Sequence, residues 1–349
     1  MTWHLIGLPH TNLTDEYATC AYTQKVRKFL RMMDGNPIVY YGPTVGLGYG
    51  DDIVTTVQPD EQTEWFGEWD PHTSPNVDWD ATRPWWQVSN ARATAAIAQR
   101  WEPGDLLLLT AASQFPISEA LPQTHGATVE WAVGYPGCKQ VGTHRIFESY
   151  AWMHTVYGQQ GEQDGRWFDA VVPNFFDPDD FTVRLDDDGY LAWMGRFDSR
   201  KGQRVTYAIA ERAGLPLRLA GPGYDGSPLP AHVEHLGPMG PAERSKFFAG
   251  ARALLAPTEY IEPFGGVTVE AMLCGTPAVT TDWGGFTETI PEQWRFRTLA
   301  EACTIVRYRL DGTLAASWAN RFTLHVVRAQ MQRALHRVEQ LWQPEGWAA

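Results

Sequence analysis

The sequence predicts an α/β fold made of two parallel-sheet units, and three observations lead to this prediction. The chain has 349 residues, a length that suits about two domains. Strand-like apolar runs alternate with helix-like segments, a pattern typical of parallel sheets. The alternation starts again after the acidic turn at 186–189, so we expect the domain boundary between Pro173 and Asp188.

In the first unit, short apolar runs predict strands, and longer segments rich in helix formers predict helices. We expect strands at residues 3–9, 36–41, 106–109 and 128–133, the end of a strand at 171–174, and helices at about 18–33 and 86–101.

The second unit repeats the alternation. We expect strands at 190–194, 217–220, 253–256 and 278–281, helices at 203–213, 242–251 and around Glu270, and a long final helix at about 317–342.

Composition excludes several classes of protein. The net charge of −13 opposes non-specific binding to duplex DNA or anionic lipid. The apolar run at 106–112 is too short to span a bilayer, and the N-terminus shows no basic region before an apolar one, so we expect no transmembrane segment and no signal peptide. The four cysteines are scattered without CxxC spacing, which favours a cytoplasmic protein without a zinc site.

The most informative segment runs from Glu262 to Glu270, two carboxylates with seven residues between them. Gly265 and Gly266 lie inside it, and Gly275 followed by Pro277 predicts the end of a helix. A helix therefore begins near the glycines, and its free N–H groups and positive dipole end suit a phosphate. Glu270, about one turn inside that helix, is placed to accept hydrogen bonds from hydroxyls. Phosphate and hydroxyls at one site indicate a sugar nucleotide.

A second cationic segment follows the strand at 190–194. The turn from Gly195 to Gly202 carries Arg196 and Lys201, and ligands of α/β sheets bind beyond the carboxyl ends of strands. Cations there would neutralise a leaving diphosphate. The alternative is a solvated basic loop.

Taken together, these residues resemble the E-x7-E signature of retaining glycosyltransferases of family 4, with Pro-Phe-Gly-Gly inside the motif and Gly-Thr-Pro after it. The resemblance implies the GT-B fold, in which two Rossmann-like βαβ domains face each other across a cleft. It implies an acceptor-side domain at 1–175, a donor domain at 176–316, and a final helix at about 317–345 that crosses back to the first domain. It implies no metal and no cofactor, with a nucleoside-diphosphate sugar, UDP- or GDP-linked, as co-substrate.

The resemblance also implies roles for individual residues. Arg196 and Lys201 would contact the diphosphate, Glu262 the donor sugar and Glu270 the ribose. Further substrate contacts are expected from Phe264, Gly265, Gly266, Val267, Gly221, Gly223, Met239 and His10. Glu288, in a Gly-Gly-x-x-Glu segment, is expected to be structural or peripheral.

Two motifs are interpreted as decoys. Gly221-x-Gly223-x-x-Gly226 has dinucleotide-binding spacing, but the prolines that follow it oppose the helix which that motif must open. The D-x-D sequences at 177–179 and 186–188 could hold a divalent cation, but turn signals favour loops.

One departure from the family affects the donor sugar. Many members carry a His at the end of an N-terminal-domain strand, and the equivalent segment 129–137 has none. Glu130, His125 or His144 could substitute, or the donor lacks the group that the His would hold.

The acceptor side is open. The helix with Lys25, Arg27, Lys28 and Arg31 has a basic face that could meet a membrane or an anionic acceptor, or be simply solvated. The segment 59–88 carries five tryptophans and seven acids against one arginine, and it either stacks on a ligand or covers the core.

We therefore expect a retaining glycosyltransferase with an unidentified acceptor, for which a lipid-linked or free glycan, a small metabolite, a protein or a modified nucleobase are candidates. The alternatives are a GT-B sugar-nucleotide epimerase or hydrolase, or a non-catalytic nucleotide-sugar binding protein.

Overall fold

The computed structural model describes residues 1–17, 20–43, 52–70, 77–122, 126–133 (side chains to 131) and 144–341. Within these ranges the strands form two parallel sheets. The strands, in chain order, are β1 (Trp3–Ile6), β2 (Ile38–Pro43), β3 (Asp52–Val57), β4 (Asp105–Leu109), β5 (Gly126–Val133), β6 (His144–Phe147), β7 (Ala170–Val171), β8 (Tyr190–Met194), β9 (Leu217–Ala220), β10 (Val233–His235), β11 (Ala251–Ala256), β12 (Ala278–Thr281) and β13 (Arg295–Phe296).

The helices follow the same alternation. They are α1 (Ala21–Met32), α2 (Pro59–Phe66), α3 (Pro84–Ala98), α4 (Phe115–Ala120), α5 (Tyr150–Gln160), α6 (Gln203–Ala213), α7 (Pro241–Ala249), α8 (Gly266–Leu273), α9 (Phe286–Thr289), α10 (Leu299–Arg307), α11 (Gly312–Ala319) and α12 (Leu324–Leu341).

Each sheet is the centre of one domain. The first sheet has the order β3-β2-β1-β4-β5-β6-β7 and the second β10-β9-β8-β11-β12-β13. Every neighbouring pair is parallel, so helices must connect the strands and cover both faces. The predicted α/β class is confirmed, and β3, β6, β10 and β13 are strands that the sequence patterns did not indicate.

The final helix is shorter than predicted, because the segment from Ser317 is broken. Helix α11 ends at Ala319, and α12 begins only at Leu324. Apolar residues of α12, among them Val327, Met331 and Leu335, pack into the core of the first domain together with residues of α1. Trp342, where we expected this helix to end, lies outside the described residues.

The chain passes between the domains at two points that lie side by side. The backbone N–H of Phe176 donates to the carbonyl of Phe322 at 2.9 Å, and the N–H of Leu324 donates to the carbonyl of Phe176 at 2.8 Å. We call residues 176 and 322–324 the crossover. The two segments that connect the domains are hydrogen-bonded to each other here. We therefore expect the crossover to be the hinge about which the domains move relative to each other.

A second contact, which we call the clasp, joins the domains near the start of α5. The Ser149 hydroxyl donates to the carbonyl of Pro263 at 2.6 Å. The carboxylate of Glu288 accepts from the first backbone N–H groups of α5, those of Tyr150 and Ala151, at 3.0 and 2.8 Å. A carboxylate at a helix N-terminus is stabilised by the free amides and the helix dipole. Glu288 therefore has a structural position in the described part of the chain.

A buried carboxyl group in the first sheet leads to a stability prediction. Glu130 on β5 is 1% exposed, neither of its oxygens has a hydrogen-bond partner, and burial raises its pKa to about 8. The folded state therefore binds a proton that the unfolded chain releases near pH 4.5, so stability should fall as pH rises from about 5 to 8. Glu130→Gln should remove this loss and stabilise the protein by more than about 1 kcal/mol at pH 7.

Thermal denaturation between pH 5 and 9 would check this expectation. Glu119→Gln, at an exposed position of α4, is the matched control. A Glu130→Gln protein whose melting temperature follows the wild-type pH profile would contradict the assignment of a neutral carboxyl.

Candidate functional site

A cavity of about 570 Å³ lies between the domains, where the turns that follow the strands of the second sheet face helix α1 of the first. The first domain contributes mainly polar and charged side chains, namely Asp15, Tyr22, Gln24, Lys25, Arg27, Lys28, Arg31 and Glu148. The second contributes Arg196, Lys201, Gly221, Met239, Arg244, Glu262, Phe264, Gly265, Gly266, Val267 and Glu270, among others. Most of the predicted site residues thus line one cavity.

Helix α8 begins at the cavity wall, as its flanking glycines predict. Gly265 precedes it with a φ of +85°, and Gly275 beyond its end has a φ of +83°. The first amides of a helix have no carbonyl one turn earlier to bond. Since Gly265, Gly266 and Val267 all line the cavity, these amides face the space that an anion would occupy.

The two glycines before and at the start of α8 allow a matched pair of substitutions. A Cβ on Gly265 would lie 2.3 Å from the Phe286 ring at a positive φ, whereas a Cβ on Gly266 would lie 3.4 Å from Phe176, an ordinary contact distance. Gly265→Ala should therefore destabilise the protein by about 1–3 kcal/mol. Gly266→Ala should keep the melting temperature and weaken the binding of a ligand that approaches this backbone. Denaturation and ligand titration on both variants check this, and equal melting temperatures would contradict it.

The turn after β8 brings two cations to the cavity. Arg196 is exposed, and Lys201 is half-buried just before Gly202. Gly202 has a φ of +74°, and a Cβ there would lie 1.9 Å from the carbonyl oxygen of Pro257, so the turn packs directly on the segment that leads to Glu262. The solvated-loop alternative does not hold for Lys201, because its side chain is engaged in the cavity.

Lys201, Tyr260 and Glu262 form one hydrogen-bonded group. The Lys201 ammonium donates to the Tyr260 hydroxyl and, at 3.2 Å, to Glu262 Oε2. The Tyr260 hydroxyl donates to the same oxygen at 2.5 Å. Lys201, which is predicted to bind the diphosphate, is therefore in direct contact with Glu262, which is predicted to bind the sugar. The Tyr260 hydroxyl is hydrogen-bonded to both.

Glu270 has a partner that the sequence did not suggest. Nη1 of Arg244, on α7, lies 3.1 and 3.2 Å from the two carboxylate oxygens of Glu270. Both side chains are largely buried in the cavity wall. Arg244 thus fixes the orientation in which Glu270 presents its oxygens.

The predicted substrate contacts that lie in the loops after β9 and β10 divide into two groups. Gly221 and Met239 line the cavity, and Gly221 accepts no side chain because a Cβ would lie 1.9 Å from the Gly195 carbonyl oxygen. His235 Nε2 lies 3.1 Å from the carbonyl oxygen of Gly221 and holds this loop. Gly223 does not line the cavity; a Cβ there would instead contact Phe197.

His10 lies elsewhere than expected, because it packs inside the first domain. Its ring is 4% exposed and contacts Phe66 and Trp79 edge-on at 5.8 and 5.6 Å. Burial lowers its pKa to about 3. His10 is thus a neutral core residue rather than a cleft residue, and the Trp-rich segment at 59–88 is what covers it. Within that segment Trp86 is buried and Trp79 remains 44% exposed.

The proposed substitutes for the family's His do not reach the cavity either. Glu130 and His144 are buried in the first sheet, and burial lowers the pKa of His144 to about 4. Neither lines the cavity, and His125 lies outside the described residues, as does the segment 134–137.

The basic face of α1 is a wall of the cavity rather than a solvated face. Its cations bind carboxylates: Lys25 lies 2.6 Å from Glu148, Arg27 2.6 Å from Asp15, and Arg31 2.6 Å from Asp177. Lys28 is the exception, because within the described residues its ammonium has no carboxylate partner and lies over the Phe176 ring. Asp177 of the first D-x-D sequence is thus engaged by Arg31, and no cluster of metal-ligand side chains occurs in the described parts of the chain.

Comparison with known proteins agrees with the resemblance. Residues 188–306, which make up most of the second domain, match the family model of glycosyl transferases group 1. A phosphatidyl-myo-inositol mannosyltransferase of Mycobacterium tuberculosis is 31% identical over 137 residues, which cover 34% of this chain and 36% of that protein. The chain thus matches about a third of the length of this curated relative.

Solved structures match over nearly the whole chain. AviGT4, a glycosyltransferase of avilamycin A biosynthesis, gives a TM-score of 0.61 at 17% identity and covers 97% of this chain and 98% of its own. HepE of Anabaena, in complex with UDP and glucose, gives 0.65 at 15% identity and covers 96% and 99%. These likenesses establish the GT-B fold, and the family model of glycosyl transferases group 1 matches most of the second domain. Among the helices of the described residues, none combines the length and the apolar character that a membrane span requires.

Proposed function

We propose that this chain, whose second domain is a group 1 glycosyl transferase domain, is a retaining glycosyltransferase that moves a sugar from a UDP- or GDP-linked donor to an acceptor hydroxyl. The observation that carries the proposal is the meeting of Lys201, Glu262 and the start of α8 in one cavity. A phosphate site and a sugar-binding carboxylate a few ångströms apart match the two halves of a sugar nucleotide. The UDP and glucose bound by HepE lend support to a UDP-linked donor.

Each part of the donor has a candidate partner. The diphosphate would lie at the start of α8 between Arg196 and Lys201, where guanidinium, ammonium and free amides offset its charge. The ribose hydroxyls would donate to Glu270. The base would lie beside Gly221 and Met239.

The proposed reaction is a front-face displacement at the anomeric carbon. The bond between that carbon and the diphosphate oxygen breaks, and the acceptor oxygen bonds to the same face, so configuration is retained. The acceptor proton passes to the leaving phosphate oxygen. Glu262 is not needed as a nucleophile; it holds the donor sugar, and the protein acts by positioning and by stabilising the charge that develops on the diphosphate.

The proposal includes no metal, since Arg196, Lys201 and the α8 amides can supply the positive charge that a cation would otherwise provide. We place the enzyme in the cytoplasm, as the scattered cysteines favour. The acceptor is left open, and a lipid-linked or free glycan, a small metabolite, a protein and a modified nucleobase are to be tested.

The first experiment is a thermal-shift panel of UDP-, GDP-, ADP- and dTDP-sugars and their free diphosphates, with a chelator present. A ligand at a hundred times its dissociation constant stabilises by about 2.7 kcal/mol, which is readily seen. One base that clearly raises the melting temperature supports the proposal and names the nucleotide. No shift with any ligand would refute a functional donor site.

Product analysis with the selected donor then separates the alternatives. Transfer to an acceptor with retained anomeric configuration is expected. Free sugar or an inverted sugar nucleotide, formed without transfer, would indicate a hydrolase or an epimerase. Binding with no turnover for any acceptor would indicate a nucleotide-sugar binding protein.

A further inference from the structure

Lys28 stands apart from the other cations on the α1 wall. Lys25, Arg27 and Arg31 are each within 2.6 Å of a carboxylate. Within the described residues, Lys28 has neither a carboxylate partner nor a hydrogen bond, and its ammonium lies 4.0 Å from the centre of the Phe176 ring. Lys28 lines the cavity and is half-buried, so a costly positive charge is held in place without an anion.

The position of Phe176 shows what Lys28 faces. The tip of the Phe176 ring lies 3.4 Å from where a Cβ on Gly266 would be, so one aromatic ring spans the distance from the Lys28 ammonium to the start of α8. Glu270 is the carboxylate that favours the charged form of Lys28 most, but both of its oxygens already accept from Arg244. The ammonium therefore lies one aromatic ring away from the start of α8 and has no carboxylate partner among the described residues.

We propose that Lys28 binds the diphosphate of the donor from the first domain, opposite Arg196, Lys201 and the start of α8, so that one ligand bonds to both domains. This inference rests on the proposed function and adds a residue that the E-x7-E resemblance does not supply. Phe176 belongs to the crossover, so a diphosphate held by Lys28 would draw α1 and α8 together beside the hinge. Binding of the donor would then close the cleft.

The titration of Lys28 provides a specific signature of this contact. Burial lowers its pKa to about 8; among the charges around it, Glu270 and Glu148 oppose the decrease, and Lys25 and Arg244 add to it. A bound diphosphate would raise the pKa again. Binding should therefore weaken as pH rises from 7 to 9, a range in which the remaining ionisation of the phosphate would by itself strengthen binding.

The test is calorimetric titration of UDP and GDP into the 349-residue chain and three variants. Lys28→Met keeps most of the aliphatic stem and removes the charge, and we expect at least about tenfold weaker binding, as for a lost charged hydrogen bond. Lys28→Arg should bind the diphosphate and, since Arg does not titrate, should not weaken between pH 7 and 9. Lys246→Ala, an exposed charge on α7 outside the cavity, is the control and should match the wild type.

The outcomes separate this inference from the proposed function. If the wild type binds a nucleoside diphosphate and Lys28→Met binds it within about twofold, Lys28 does not contact the diphosphate and the inference is overturned. A wild-type pH profile in Lys28→Arg would overturn it as well, even if Lys28→Met proved unstable. If the wild type binds no nucleoside diphosphate at all, the donor-site proposal and this inference both fail.

Discussion

Glu262→Ala should lower the kcat of sugar transfer by about 10²- to 10³-fold, a loss typical for removal of one group that stabilises a transition state. The affinity for the free nucleoside diphosphate should not fall. Glu262 Oε2 now accepts from Lys201 and from the Tyr260 hydroxyl, so its removal releases Lys201 for the diphosphate. Steady-state kinetics and diphosphate titration, carried out on the same variant, measure the two effects.

Glu259→Ala is the matched control for this substitution. Glu259 lies three positions earlier on the same loop, but its side chain is exposed and does not line the cavity. We expect Glu259→Ala to keep wild-type kcat. If the two alanine variants show the same kcat, or if Glu262→Ala loses diphosphate affinity and keeps its turnover, the role given to Glu262 is wrong.

Lys201→Ala should reduce both diphosphate affinity and kcat/KM, the first by at least about tenfold and the second by about 10²-fold or more. The ammonium would pair with charge that is present in the ground state and increases as the glycosidic bond breaks. Lys201→Arg should restore little, because the larger planar guanidinium cannot take the place of an ammonium bonded to both Tyr260 and Glu262. Titration with UDP and GDP, together with initial-rate kinetics, checks this expectation.

The neighbouring Arg200 provides the control for charge. Arg200 precedes Lys201 in the same turn, pairs with Asp198 at 2.7 Å, and lies outside the cavity. Arg200→Ala removes the same formal charge and should leave binding within about twofold of the wild type, as for an exposed ion pair. Equal losses in both variants would mean that net charge, rather than the Lys201 contact, governs binding.

The parts of the site that depend on residues close together in the sequence could be predicted from local patterns. The position of α8 follows from Gly265 and Gly275, whose positive φ angles mark the two ends of the helix that Gly266 begins. Ligand-binding loops of α/β folds follow the carboxyl ends of strands, and this rule predicted that Arg196 and Lys201 would lie at the ligand site. Both residues line the same cavity as Glu262.

Contacts between distant parts of the chain were not predictable in this way. Arg244 and Glu270 are 26 positions apart, on separate helices, and Lys25 and Glu148 are 123 apart, so no spacing rule links them. His10 follows β1 as a cleft residue would, but two rings of later segments, Phe66 and Trp79, pack against it and enclose it. Strand β13, only two residues long, carries too short a pattern to be recognised.

The clasp and the crossover have a consequence for engineering hybrids of this protein. A chimera made by cutting the chain once near residue 176 would separate α12 from the core it completes and leave Glu288 without the α5 amides that it caps. A transplantable first domain must therefore include residues 324–341 as well as the N-terminal half. It must also keep a hydroxyl at position 149 to bond Pro263, the residue next to Glu262. Exchange of the first and second domains between relatives is thus constrained by the clasp and the crossover, and both contacts can be transferred together.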